Sequence, residues 1–140
     1  MRRRTLAREL ALKILYQADI RNESLCAIAD AFITPEETED AEVVDFARKI
    51  VVGVEQNYKE INDLILSHAA NWHMDRMAVV DRNILRLGIY ELCHMPDVPS
   101  KVTINEAIEL AKKYGDVESG KFVNGILDKV HKTNPIAQKK

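Results

Sequence analysis

The 140-residue chain predicts an all-α fold. Apolar residues recur at three- and four-residue spacings in seven successive segments, the mark of helices with one buried face. No segment alternates apolar and polar residues convincingly, so strands have no support. Short stretches containing proline, glycine or asparagine separate the segments.

The first helix is expected from about Thr5 to Asn22. Leu6, Ala7, Leu10, Ala11, Ile14, Leu15 and Ala18 cover one broad face, and Leu12, Tyr16 and Ile20 form a second stripe, so this helix should touch neighbours on both flanks. A shorter helix follows around Ser24 to Ile33. Thr34-Pro35-Glu36-Glu37 then carries capping-box spacing and a proline suited to a first turn. The third helix spans roughly Asp40 to Gln56, with Val43, Val44, Ala47, Ile50, Val51 and Val54 inward; Asn57 marks a break. Ile61, Leu64, Ile65 and His68 continue as a fourth. The chain turns again over Asn71 to Asp75, where Trp72 reads as a plug between helices and Asp75 as the cap of the fifth helix.

That fifth helix, about Arg76 to His94, buries a wide arc in which Asp81 and Glu91 fall. A carboxylate there needs a partner, because burying an unpaired charge is costly. Pro96 and Pro99 end the helix and stiffen the connection. The sixth phrase, Val102 to Gly115, opens with a capping-box pair, Thr103 and Glu106, and Gly115 can stop it by taking positive φ. The seventh, Ser119 to Val130, has Ser119 placed as a cap. Residues 1–132 therefore make one helical domain, closed by a helical hairpin and followed by a polar tail at 133–140.

Composition narrows the function classes. The net charge of −2 hides a segregation: residues 34–75 hold ten Asp/Glu against three Lys/Arg, whereas residues 1–13 hold five Lys/Arg against Glu9 alone. A weakly acidic protein with a basic end can bind a polyanion at one defined place. No apolar run reaches the ~20 residues of a membrane span, and charged residues interrupt any signal peptide, so a cytoplasmic location is expected. Cys26 and Cys93 read as small buried side chains. His68, His73, His94 and His131 are dispersed, so neither metal nor cofactor is expected, and no nucleotide or hydrolase motif occurs. The chain is not expected to be an enzyme.

Arg2, Arg3, Arg4 and Arg8 are the chemical lead, since guanidinium groups match phosphate geometry and release counterions on binding. The alternative is a solvated terminus kept for solubility. Tyr16, and Phe122 beside Lys121, could stack on splayed bases, although for each side chain core packing is the more common explanation.

Four phrases occur in order: RRRTLARELALKILYQ, DRMAVVDRNILRLGIYEL from Asp75 to Leu92, the DVP connector at Asp97 to Pro99, and VTINEAIELAKKYG followed by SGKFVNGILDKV. Together they resemble the NusB family of bacterial transcription antitermination factors; the middle, about Asn22 to Ser67, is similar only in helical pattern. The resemblance implies two small helical bundles arranged around the first helix. It implies binding to the single-stranded boxA element of nascent ribosomal RNA leaders together with NusE, a small-subunit ribosomal protein, and assembly on RNA polymerase. It assigns Arg2, Arg3, Arg4, Arg8, Tyr16, Lys121 and Phe122 to RNA, and Asp75, Met77, Asp81 and Arg82 to NusE. The basic start and the closing hairpin should then form one cradle. A protein-only helical interaction module is the alternative, and homodimerisation stays open.

Overall fold

The computed structural model describes residues 2–33, 40–69 and 73–138, with residue 2 by its backbone alone. Among these, seven α-helices occur and no strand: α1 (Arg2–Arg21), α2 (Leu25–Phe32), α3 (Ala41–Gln56), α4 (Tyr58–His68), α5 (Val79–His94), α6 (Ser100–Tyr114) and α7 (Val117–Thr133). Short 3₁₀ turns stand at Met74–Arg76 and Pro135–Ala137. The expected plug at Trp72 and the capping box at 34–37 lie outside the described residues.

Helix α1 packs most extensively on α3 and also meets α2 and α5, while α5 supports α4 and the α6–α7 hairpin. The chain thus folds as two small bundles that share the α1–α5 contact. The apolar periodicity has done its work: Ile14, Leu15, Ile50, Ile61, Ile65, Ile84, Leu85 and Leu92 are wholly buried. On the second stripe of α1, Leu12 is buried, Tyr16 half-buried and Ile20 exposed, so the flank contact fades toward the helix end. Where α5 meets α7, a Cβ on Gly88 would come within 2.9 Å of a Leu127 methyl, so a side chain there would force Leu127 to shift.

Several local expectations are corrected. The fifth helix starts at Val79 with Ala78 before it, and Asp75 lies in the separate 3₁₀ turn. Thr103 caps nothing: α6 begins earlier, after Pro99, and the Thr103 hydroxyl donates to Glu91 Oε1 at 3.2 Å. Ser119 is likewise inside α7, whose cap is Asp116, accepting from the Ser119 amide at 2.8 Å. Gly115 has φ −112°, not a positive value; it is needed because a Cβ would meet Ser119 Oγ at 2.5 Å. Cys26 is exposed and donates to Glu55 Oε2 at 3.0 Å, because α2 turns it away from the core. The tail is not wholly loose polar chain: Ala137 is buried, and its carbonyl accepts from Ser100 Oγ at 3.0 Å. The break at Asn57 holds, its side-chain amide donating to the Gly53 carbonyl at 2.8 Å.

Candidate nucleic-acid and partner interface

Two ionic clusters fix α1 against α5 and set the direction of everything nearby. Arg8 Nε and Nη2 donate to the two oxygens of Glu91 at 2.8 and 2.7 Å, and Nη1 donates to Glu106 at 3.1 Å. Toward the other end of α1, Asp19 accepts from Arg82 Nε and Nη2, at 2.7 and 2.9 Å, and from Asn83 and Arg86. These contacts hold the Asp19 carboxyl down at about 2, its own burial working in the opposite direction. With Arg8 opposite Glu91 and Asp19 opposite Arg82, the two helices run antiparallel.

Arg8 therefore does not belong to the phosphate-binding set expected from sequence. It is 1 % exposed, and a phosphate would have to displace two carboxylates from inside the protein. Arg3 and Arg4 do face solvent. Arg3 pairs with Asp40 at 2.8 Å and Glu42 at 3.2 Å, and Asp40 is the main reason its pKa is raised. Arg4 lies 4.7 Å above the centre of the Phe46 ring and 3.8 Å from Asp97. Exposed pairs of this kind contribute little stability, so incoming phosphates compete with them on even terms. The side chain of Arg2 lies outside the described residues.

Further along α1, Tyr16 lines a mostly apolar cleft of about 270 Å³ with Leu12, Phe32, Val80 and Tyr114. Lys13 stands at its rim, exposed, with no ion pair among the described residues. One turn earlier, Glu9 is neutralised by Lys113 at 2.9 Å and accepts from the Tyr114 hydroxyl at 3.2 Å. Lys13 was missed in the sequence, although its place in the basic start and its three-residue spacing from Tyr16 were visible there.

Val80 closes the Tyr16 cleft, and the next residue, Asp81, opens a second cleft of about 360 Å³. Phe122, Ser119 and Asp116 form one side of it, and Arg76, Met77 and Ala78 the other. Phe122 is half-buried; Lys121 beside it is exposed, 3.7 Å from Glu118. Asp81 Oδ1 is buried with no hydrogen-bond partner among the described residues. Burial raises this carboxyl's pKa most, Ser119 offsets part of the rise, and Asp116 adds to it. Asp75 is exposed on the 3₁₀ turn.

Two of the expected partner residues face inward. Met77 is 4 % exposed and plugs the base of the turn. Arg82 has all three guanidinium nitrogens engaged within the chain, the third donating to the Met74 carbonyl at 2.8 Å. The start of α1 does lie against the closing hairpin, since Thr5 and Arg8 both donate to Glu106 of α6. Tyr16 and Phe122 line separate clefts to which consecutive residues, Val80 and Asp81, contribute, and Arg4 lies twelve residues from Tyr16, ~18 Å along the helix axis. Arg3 and Arg4 thus mark one end of a path along α1, and Tyr16 a point farther along it. Among the described residues, no group of three His, Cys, Asp or Glu is arranged to hold a metal.

The sequence profile described as the NusB family matches residues 5–132. The chain belongs to the NusB family. It is 49% identical over 137 residues to the transcription antitermination protein NusB of Anaeromyxobacter dehalogenans, covering 98% of this chain and 96% of that one. Among solved structures it is similar to NusB of T. maritima, with TM-score 0.85, 42% identity, and 95% of this chain and 92% of that one covered. It is also similar to a chain in a crystal structure of the antitermination factors NusB and NusE in complex with dsRNA, with TM-score 0.87, 32% identity, and coverage of 94% and 98%. The NusB profile thus takes in both ionic clusters and both clefts, since Arg8 through Phe122 fall within it.

Proposed function

We propose that this chain binds the boxA element of nascent ribosomal RNA leader transcripts as a single strand, together with NusE. In this role it helps assemble an antitermination complex on RNA polymerase in the bacterial cytoplasm, tethering RNA and protein without catalysing a reaction. The observation that carries this reading is that the Tyr16 and Phe122 clefts are lined by consecutive residues of α5, Val80 and Asp81, with Lys13, which has no ion pair among the described residues, lining the first. Aromatic faces beside a cation are what splayed bases and their phosphates require. Exposed Arg3 and Arg4 supply further phosphate contacts at the far end of α1, in place of the occluded Arg8. Exposed Asp75 on the neighbouring 3₁₀ turn is an acidic group that suits a basic ribosomal protein such as NusE.

The test is a titration of fluorescent single-stranded boxA RNA, with and without NusE, between 50 and 200 mM salt. The expected result is an affinity that falls steeply with salt and rises when NusE is added; by linkage, RNA then strengthens the protein pair equally. A salt-independent signal, or none, would favour a protein-only module. Preference for duplex over single-stranded boxA would overturn the single-strand assignment. A concentration-dependent mass in light scattering would add the homodimer.

A further inference from the structure

The 3₁₀ turn Met74–Arg76 forms part of one wall of the cleft that also contains Asp81 and Phe122, and Met74 and Met77 pack against the core beneath it. Among the described residues two backbone hydrogen bonds close it: the Arg76 amide to the His73 carbonyl at 3.0 Å, and the Met77 amide to the Met74 carbonyl at 3.3 Å. The same Met74 carbonyl accepts from Arg82 Nη1 at 2.8 Å. Arg82 is aimed there by Asp19, which takes the other two nitrogens in a planar fork. Such a fork fixes the plane of the guanidinium, so it also fixes where the third nitrogen points. Both side chains are mostly buried, at 15% and 14% exposure, so water competes weakly for these bonds.

The geometry points to Asp19 and Arg82 as positioning residues that lock the Met74–Arg76 turn onto the end of α1, and so set how that turn presents Asp75 to the protein partner. Neither residue meets the partner itself. The partner half of this inference rests on the proposed pairing with NusE; the lock itself does not.

The substitutions are Asp19→Asn, which removes the charge shared by Arg82 and Arg86, and Arg82→Lys, which keeps a cation but cannot fork and reach Met74 together. Ile50→Val, a core truncation on α3 remote from the turn, controls for lost global stability. Amide hydrogen exchange of Arg76 and Met77 and affinity for purified NusE are measured on each. Both clamp variants should exchange these two amides about tenfold faster than the Ile50→Val control and bind NusE about five- to twentyfold more weakly. Asp19→Glu, which retains the carboxylate, should recover most of both losses. Exchange no faster than in the control would overturn the lock. Faster exchange with NusE affinity within twofold of the unsubstituted chain would overturn its role in partner binding. Failure of the unsubstituted chain to bind NusE would remove the partner reading, while the exchange comparison would still decide the lock.

Discussion

Replacing Arg8 with methionine separates an architectural arginine from an RNA-binding one. The side chain is 2% exposed and Glu91 is 0% exposed; three hydrogen bonds, at 2.7, 2.8 and 3.1 Å, tie it to α5 and α6. Breaking a buried ion pair from one side costs about 3–5 kcal/mol, because the remaining charge loses its counter-ion in a place that water does not reach. For a domain of this size that is a fall in melting temperature of roughly 10–15 °C. At a temperature where the variant is still folded, affinity for boxA RNA should stay within about twofold. Arg8→Met combined with Glu91→Leu should recover much of the lost stability, since a well-packed apolar pair commonly matches a buried ionic one. Thermal denaturation followed by circular dichroism, paired with fluorescence anisotropy on the same preparations, makes both measurements. A tenfold loss of RNA affinity with a melting temperature moved by under 2 °C would refute the argument and return Arg8 to the binding surface.

Lys13→Ala should leave stability within about 0.5 kcal/mol, as expected for an exposed side chain away from special features. In a salt titration of boxA binding it should lower the slope by about one counterion, and an unchanged slope would exclude Lys13 from the path. Asp19 has its folded pKa depressed to about 2, so its contribution is present above the unfolded carboxylate value and is lost as pH falls through the folded one. Discounted for solvent screening, it amounts to about 1–2 kcal/mol; Asp19→Asn should therefore flatten melting temperature against pH between about 5 and 2, and an identical acid limb would contradict this. On α7, Gly125→Ala has open space around the new Cβ and should stabilise by about 0.5–1 kcal/mol. On α3, Gly53→Ala would place its Cβ inside the Tyr90 ring and should cost about 1–3 kcal/mol by chemical denaturation, so equal effects at the two sites would be inconsistent with the packing.

The helices were legible because burial writes its period into the sequence: Val43, Ala47, Ile50 and Val54 declare one face of α3 without reference to anything distant. Caps were less legible. Thr103 and Ser119 have the right chemistry for a helix start, but partners elsewhere claim them, and Pro99 and Asp116 set the boundaries instead. Arg8 shows the limit most clearly. Four arginines near one terminus look alike in sequence, and only Glu91, 83 residues away, distinguishes the one that is buried. The clue was present in part, since Glu91 sits in an apolar arc and had to find a cation. Asp81 posed the same question and received a different answer: its Oδ1 is buried with no hydrogen-bond partner among the described residues. The clefts themselves could not be read, because each assembles residues from several helices and no local period records that.

The Arg8 cluster bears on how the neighbouring turn of α1 would meet an RNA. Arg3 and Arg4 project from a helix bolted to two others only one turn away, so the backbone beneath them is already ordered before any ligand arrives. A disordered basic arm would surrender chain entropy on contact; this one gives up side-chain rotamers alone. Capture at that end should therefore approach the pace of electrostatic encounter, with little delay for folding of the segment.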